Sequence, residues 1–142
     1  MSTDNHPLWQ CYQQTQFLFT QSLSPTLSFA IITAHNPQGE ILSASQNRLL
    51  DRKLQGEIEK MGLPYRAMVG TSSDRRHMEK SWAVAIDKPA AIALGLAFKQ
   101  NAIYFVENDT LRLVPCLLKH DETAIGRFSS RVNLVSELPE SC

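Results

Sequence analysis

Hydrophobic residues in the first half of the chain form one strand-like run and one helical pattern. Residues 27–34 (LSFAIITA) are nearly all apolar, which is typical of a buried strand. The turn-forming residues 36–39 (NPQG) follow this strand. A helix is then predicted between an N-cap at Ser45 and a terminating Gly62, because apolar residues recur there at helical spacing. These apolar positions are Leu50, Leu54, Ile58 and Met61.

The second half of the chain also contains strand-like and helical segments, and its strands are short. The predicted strands are residues 65–69, 81–86, 102–106 and 111–114. Asp87 and Pro89 are suited to begin a helix over residues 90–100. The polar stretch 70–80 (GTSSDRRHMEK) has no apolar periodicity and is predicted to be a loop. Residues 108–109 (ND) predict a hairpin turn.

The elements between residues 27 and 106 follow the order strand, helix, strand, strand, helix, strand. This is the βαββαβ order of ferredoxin-like α+β folds. The link 70–80 is shorter than the roughly dozen residues that a parallel crossover needs, so it should join an antiparallel hairpin. We therefore expect helices on one face of a mostly antiparallel sheet. A helix beginning at Pro7, a strand at 17–19 and a C-terminal hairpin strand extend this unit.

Length and composition are those of an ordinary globular domain. The chain has 142 residues, of which 43% are hydrophobic and 20% are charged. We expect a single domain over residues 1–142, with a core over about 8–118 and a partly ordered tail over 119–142, loose at its end. Fourteen basic residues balance fourteen acidic ones, so we expect no nucleic-acid partner. No apolar run approaches the roughly 20 residues that cross a membrane, so we expect no membrane partner.

The N-terminus and the cysteines indicate a cytoplasmic protein. The first ten residues are polar and lack the apolar segment of a secretory signal. Cys11, Cys116 and Cys142 are far apart in the sequence, which argues against a disulfide framework. Cys116 has apolar neighbours, so we expect it to be buried and inert, although a nucleophilic role beside a histidine is the alternative.

The sequence contains no complete motif for a metal or a cofactor. His77 and Glu79, followed by Pro115 and Cys116, resemble half of a zinc-deaminase signature. Lys119 stands where the second cysteine of that signature is needed. Glycine-rich nucleotide-binding motifs are also missing, so we expect neither a metal nor a cofactor.

The predicted strand directions bring the polar segments to one edge of the sheet. The first strand of the βαββαβ unit ends at this edge, the hairpin loop crosses it, and the second helix ends beside it. The segments that meet there are 35–48, 70–82 and 99–101. The opposite edge has only short turns, so the asymmetry favours a functional site here. The alternative is that these residues are caps, turn formers and solvated charges.

The residue types at this edge favour a small anionic ligand. Arginine forks and the first turn of a helix both hold carboxylate or phosphate groups. The residues expected to bind the ligand are Asn36, Asn47, Arg48, Arg75, Arg76, Trp82, Gln100 and Asn101. His77, with Glu79 as its partner, or His35 would be the catalytic base. Whether the protein is an enzyme stays open, and the alternative is a non-catalytic interaction or self-association module, such as a homodimer.

Four short motifs stand out together: 29–37 (FAIITAHNP), Asn47, 79–82 (EKSW) and 98–104 (FKQNAIY). They resemble a family of small bacterial proteins described as a domain of unknown function, over roughly residues 8–115. The resemblance implies a small stand-alone bacterial protein, and it supplies no activity or catalytic residue. Lys99 stands where such sequences more often have glycine, which implies a less permissive helix end.

Overall fold

Helices and strands of a mixed α+β structure make up most of the computed structural model, which describes residues 7–139. The helices are α1 (Pro7–Tyr12), α2 (Ala44–Met61) and α3 (Lys88–Ala97). The strands are β1 (Gln16–Phe19), β2 (Phe29–Ile32), β3 (Tyr65–Thr71), β4 (Met78–Val84), β5 (Ala102–Glu107), β6 (Thr110–Pro115), β7 (Thr123–Arg127) and β8 (Val132–Leu134). Short 3-10 helices lie at Pro37–Gly39 and Phe128–Arg131. The predicted α+β class is therefore confirmed.

Within the described residues the eight strands form one sheet, in the order β7-β6-β5-β2-β4-β3-β1-β8. Neighbouring strands are antiparallel except β1 and β8. The β3–β4 hairpin pairs Thr71 with Met78, so its loop is shorter than the predicted loop 70–80. Thr71 and Glu79, at the polar ends of these strands, border a cavity. None of the described helices is long and apolar enough to cross a bilayer.

Helix α2 begins two residues earlier than its hydrophobic pattern predicts. The N-cap is Ser43, whose hydroxyl accepts a hydrogen bond from the Gln46 backbone nitrogen at 3.2 Å. The Gln46 side chain accepts one from the Ser43 backbone nitrogen at 3.0 Å, which completes a capping box. The predicted cap, Ser45, lacks this option because Arg48, three residues later, has no acceptor. The predicted end is confirmed, since Gly62 adopts a left-handed conformation with φ +67°.

Helix α3 begins as predicted and ends earlier. The Asp87 carboxylate caps it by accepting a hydrogen bond from the Ala90 nitrogen at 2.9 Å. At its end, the backbone nitrogens of Lys99 and Gln100 donate to carbonyls of the last turn. Lys99 itself takes the left-handed conformation, with φ +56°. The left-handed residue that terminates the helix is therefore Lys99.

The sheet has an apolar core on each face. The helix-side core packs α2 and α3 against the sheet, and its members include Ala30, Ile32, Leu54, Ile58, Trp82, Val84, Leu94, Ile103 and Phe105. The aromatic core lies on the other face and includes Phe17, Phe19, Phe29, Met68, Leu111 and Phe128. Phe128 comes from the segment predicted to be a partly ordered tail, which adds β7 and β8 to the sheet. The chain end with Cys142, expected to be loose, lies outside the described residues.

Candidate functional site

A cavity of about 360 Å³ opens on the sheet face that lies away from α2 and α3. Ile31, Ser81 and Tyr104 line this cavity. Their strand neighbours Ile32 and Trp82 instead pack in the helix-side core. Because successive side chains of a strand point to opposite faces, the cavity and the two long helices lie on opposite sides of the sheet.

Helix α1 closes one side of the cavity. The Tyr104 hydroxyl donates to the Tyr12 carbonyl oxygen at 2.6 Å and lies 2.7 Å from the Thr15 hydroxyl. Burial raises the pKa of Tyr104 well above its ordinary range, so this hydroxyl stays protonated and holds α1 on the sheet. Gly39 permits the close approach, because a side chain there would meet Leu8 Cδ1 at 2.6 Å.

A histidine–carboxylate pair lies on the cavity wall. His77 Nε2 is 2.9 Å from Glu79 Oε2, and the Asn36 side-chain nitrogen donates to the same oxygen at 2.9 Å. The hydrogen bond to Glu79 raises the pKa of His77 above its ordinary value, against a smaller effect of burial. His77 is 55% exposed and Glu79 24%, so the pair can exchange protons with solvent or with a ligand.

Asn36 positions Glu79 and is itself positioned by Asn47. The Asn47 side chain donates to Asn36 Oδ1 and accepts from the Asn36 backbone nitrogen, both at 2.9 Å. The Leu42 nitrogen donates to Asn36 Oδ1 at 3.0 Å. Asn36 has φ +50°, a left-handed conformation that asparagine tolerates better than most side chains. Asn47 is only 2% exposed and does not line this cavity, so it acts on the site through Asn36.

His35 lines the cavity as a neutral, buried ring. It is 5% exposed, and its Nδ1 atom has no hydrogen-bond partner among the described residues. Burial lowers the pKa of His35 below its ordinary value. Its carbonyl oxygen accepts a hydrogen bond from Gln100 Nε2 at 3.2 Å. Gln100 and Asn101 also line the cavity, and the Asn101 side chain donates to the Tyr12 hydroxyl at 3.2 Å.

The three arginines expected to hold an anion lie outside the lining of this cavity. Arg48 lines a second cavity, of about 470 Å³, beside α2. Arg75 is at the exposed tip of the hairpin loop and has φ +60°. The Arg76 side chain is 89% exposed and lies 3.9 Å from the Asp74 carboxylate. Hydrophobic spacing places a loop in the chain but does not determine where its side chains point.

Trp82 is a core residue and does not line the cavity. Its indole nitrogen donates to Asp51 Oδ1 at 2.8 Å. Lys80 donates to the other oxygen of Asp51 at 2.8 Å, and its ammonium lies 4.4 Å from the centre of the Trp82 ring. This cluster fixes α2 on β4. Sequence reasoning missed Asp51, which lies on the buried side of α2 among apolar positions.

Other cavity residues were not predicted either, among them Tyr12, Ser81 and Tyr104. Ser81 could have been found, because it lies two positions after Glu79 on the same strand and so points to the same face. Tyr12 and Tyr104 meet across 92 positions of sequence. Local sequence patterns cannot predict a contact between residues so far apart in the chain.

The cavity combines polar groups with an apolar wall. Its apolar lining includes Leu8, Phe17, Ile31, Ile41 and Leu113. None of its described lining residues is a lysine or an arginine. Within residues 7–139 no group of three or more His, Cys, Asp and Glu side chains has an arrangement that could hold a metal ion. The chemistry that this lining supports is hydrogen bonding and proton transfer.

A family model described as "Protein of unknown function (DUF3293)" matches residues 32–103. This confirms the predicted resemblance to a family of unknown function. The matched residues include His35, Asn36, Asn47, His77, Glu79 and Gln100. Helix α1 and strands β1, β6, β7 and β8 lie outside the match. No match is found among curated proteins or among solved structures.

Proposed function

The chain belongs to the family of proteins of unknown function DUF3293, and we propose that it binds a small molecule in the cavity beneath α1. In this proposal the His77–Glu79 pair exchanges a proton with the bound molecule. The observation that carries it is the Glu79 carboxylate held between His77 and Asn36, with 2.9 Å contacts to both, on the cavity wall.

The arrangement of these groups supports a ligand site more than a purely structural network. An ion pair that only stabilises the fold gains little additional stability from lying beside a cavity. A proton-transfer pair, in contrast, needs access to its substrate. The pair also has a dedicated support in Asn36 and Asn47, which hold Glu79 in one orientation. Such support by neighbouring hydrogen bonds is what a precise site requires.

The ligand class proposed here differs from the small anion that the arginines favoured. Those three arginines lie elsewhere, and the described cavity lining has Glu79 as its carboxylate and no lysine or arginine. An anion would therefore meet a carboxylate and depend on His77 alone for positive charge. The polar and apolar parts of the lining support a small amphipathic molecule instead.

We interpret the central strands as the predicted βαββαβ, ferredoxin-like arrangement. The adjacent strands β5-β2-β4-β3, all antiparallel, and the helices α2 and α3 on one face support this interpretation. Location in the cytoplasm is a further proposal, supported by the free thiols of Cys11 and Cys116. A bacterial source stays an implication of the motif resemblance.

A thermal-shift screen against a library of small metabolites tests the proposed function. A ligand present at about 100 times its Kd should stabilise the protein by about 2.7 kcal/mol. Glu79→Gln should remove or weaken the shift, because the charge on the cavity wall is lost while the side-chain shape is kept. Arg48→Gln is the matched control, since it removes one charge outside the cavity, and it should leave the shift unchanged.

Two results would contradict this proposal. A shift that survives Glu79→Gln and disappears in Arg48→Gln would place the ligand beside α2. A library that produces no shift, together with a dimer whose population rises with concentration, would favour the self-association module.

A further inference from the structure

Two side chains of the cavity lining each have one oxygen without a hydrogen-bond partner in the described residues. They are Glu79 and Gln100. Both hydrogen-bond contacts of the Glu79 carboxylate are to Oε2, and both side-chain hydrogen bonds of Gln100 are made by its nitrogen. The buried unpartnered side-chain atoms of the described residues are Trp9 Nε1 and His35 Nδ1. The free oxygens of Glu79 and Gln100 are therefore reachable from outside the protein.

The orientation of the Gln100 amide is determined by its neighbours. One end of the amide lies 3.2 Å from the His35 carbonyl oxygen and 3.2 Å from the Phe98 carbonyl oxygen. Carbonyl oxygens only accept hydrogen bonds, so this end is the nitrogen. The amide oxygen, Oε1, is the atom left for a ligand.

Both acceptors are held by the same short segment. His35 binds Gln100 through its carbonyl oxygen, and Asn36 binds Glu79 through its side-chain nitrogen. Glu79 and Gln100 are therefore each hydrogen-bonded to the 35–36 segment, and both line the cavity. The described lining has no lysine or arginine to compete with a ligand for Glu79. His77 contacts Glu79 through Oε2, which leaves Oε1 open to a ligand.

A ligand that matches these acceptors must donate hydrogen bonds and carry positive charge. A protonated primary amine has three donors and no acceptor, whereas a carboxylate has only acceptors. The aromatic side chains of Tyr12 and Tyr104 in the lining favour a cation further. Leu8 and Ile41 would cover an apolar tail.

We propose that the ligand of this cavity is a small primary amine with an apolar tail, bound through its ammonium group by Glu79 Oε1 and Gln100 Oε1. This inference rests on the proposed function, because it names the ligand class of the same cavity.

Three probes of equal chain length test the inference: hexylamine, hexan-1-ol and hexanoate. Their dissociation constants are measured by NMR titration of the wild-type protein. A charge-assisted hydrogen bond should make hexylamine bind about tenfold more tightly than either other probe. Glu79→Gln should weaken the binding of hexylamine by about tenfold and leave the dissociation constant of hexan-1-ol unchanged. Unchanged hexan-1-ol binding also shows that the cavity of the variant is intact.

Arg48→Gln, the control from the second cavity, should change none of the three constants. Hexanoate or hexan-1-ol binding as tightly as hexylamine would overturn the amine inference. So would hexylamine binding that is insensitive to Glu79→Gln. These results leave the proposed function standing if a library ligand still maps to the cavity, whereas a library without any ligand ends both proposals.

Discussion

Asn36 combines three hydrogen-bonding roles in one residue. Its backbone nitrogen donates to Asn47, its side-chain oxygen accepts from Asn47 and Leu42, and its side-chain nitrogen donates to Glu79. The orientation of the Glu79 carboxylate toward His77 is therefore coupled to the first turn of α2. At the scale of single residues, the site consists of a proton-exchanging pair and the two asparagines that position it.

The pKa of His77 should depend on Glu79. In the folded protein the hydrogen bond to Glu79 raises this pKa above the ordinary histidine value of about 6.5. Glu79→Gln should bring the His77 titration midpoint back toward that value, as measured by NMR of the imidazole protons against pH. An unchanged midpoint would contradict the pairing.

The same shift determines the sign of a stability effect. Because the folded pKa is raised, the pair stabilises the protein fully below about pH 6.5 and loses this contribution as pH rises through the folded value. The difference in the free energy of unfolding between wild type and Glu79→Gln should therefore shrink as pH increases. Urea unfolding of both proteins at a series of pH values measures this difference.

Lys99 carries conformational strain that glycine would relieve. A left-handed conformation costs a residue with a Cβ atom roughly 1–2 kcal/mol. Glycine avoids this cost, but it loses more backbone entropy on folding, which offsets part of the gain. Lys99→Gly should raise the free energy of unfolding by about 0.5–1 kcal/mol. Lys99→Ala is the control and should bring no gain, because alanine keeps the Cβ atom. A gain of equal size in both variants would contradict the strain argument.

At the scale of elements, the packing of α3 on the sheet depends on one glycine. A Cβ atom at Gly95 would lie 2.8 Å from Cys116 Sγ and 2.9 Å from Ile103 Cγ2. Helix and sheet therefore approach more closely here than any larger side chain permits. The same packing partly buries Cys116, which raises its pKa to about 11 and agrees with an inert thiol.

Two glycine-to-alanine substitutions should have opposite effects. Gly95→Ala should lower the free energy of unfolding by about 1 kcal/mol, because the cost of overpacking exceeds the gain in helix propensity. A Cβ atom at Gly56, in α2, would meet no described atom within 4 Å, so Gly56→Ala should raise the free energy of unfolding by about 0.5–1 kcal/mol. Chemical denaturation of both variants measures this, and a gain in both would contradict the packing account.

At the scale of the whole molecule, the C-terminal segment completes the aromatic core. The Phe128 ring lies 5.2 Å from Phe29 and 5.6 Å from Phe17 between ring centres. The Arg131 guanidinium donates to the Gln13 carbonyl oxygen at 2.7 Å, beside α1. The far end of the described chain therefore supports both the second face of the sheet and the helix that closes the cavity.

Phe128→Ala should cost about 3–5 kcal/mol of the free energy of unfolding, as expected for a buried phenylalanine. Leu134→Ala is the matched control from β8, because Leu134 is 59% exposed. It should change the free energy of unfolding by no more than about 0.5 kcal/mol. Urea unfolding of the two variants gives the comparison, and equal effects would contradict a structural role for the segment.

The sequence predicted those features that depend on local patterns and chain direction. Strand order brought Asn36, Glu79 and Gln100 to one edge, and hydrogen bonds join them there through the 35–36 segment. The pattern predicts only a partly ordered tail, because β7 is half exposed and has no apolar alternation. The role of α1 was missed because its contacts to Tyr104 are long-range. The side-chain directions of Arg75 and Arg76 could not be predicted, because they depend on the folded backbone of the loop.

The most direct test of the cavity as the ligand site is amide NMR mapping of a bound library ligand on the wild-type protein. We expect the largest chemical-shift changes at residues 35–36, 77–81 and 100–101, with changes in α1. Shifts confined to residues 44–55 of α2, with the amides around Glu79 unmoved, would contradict the account.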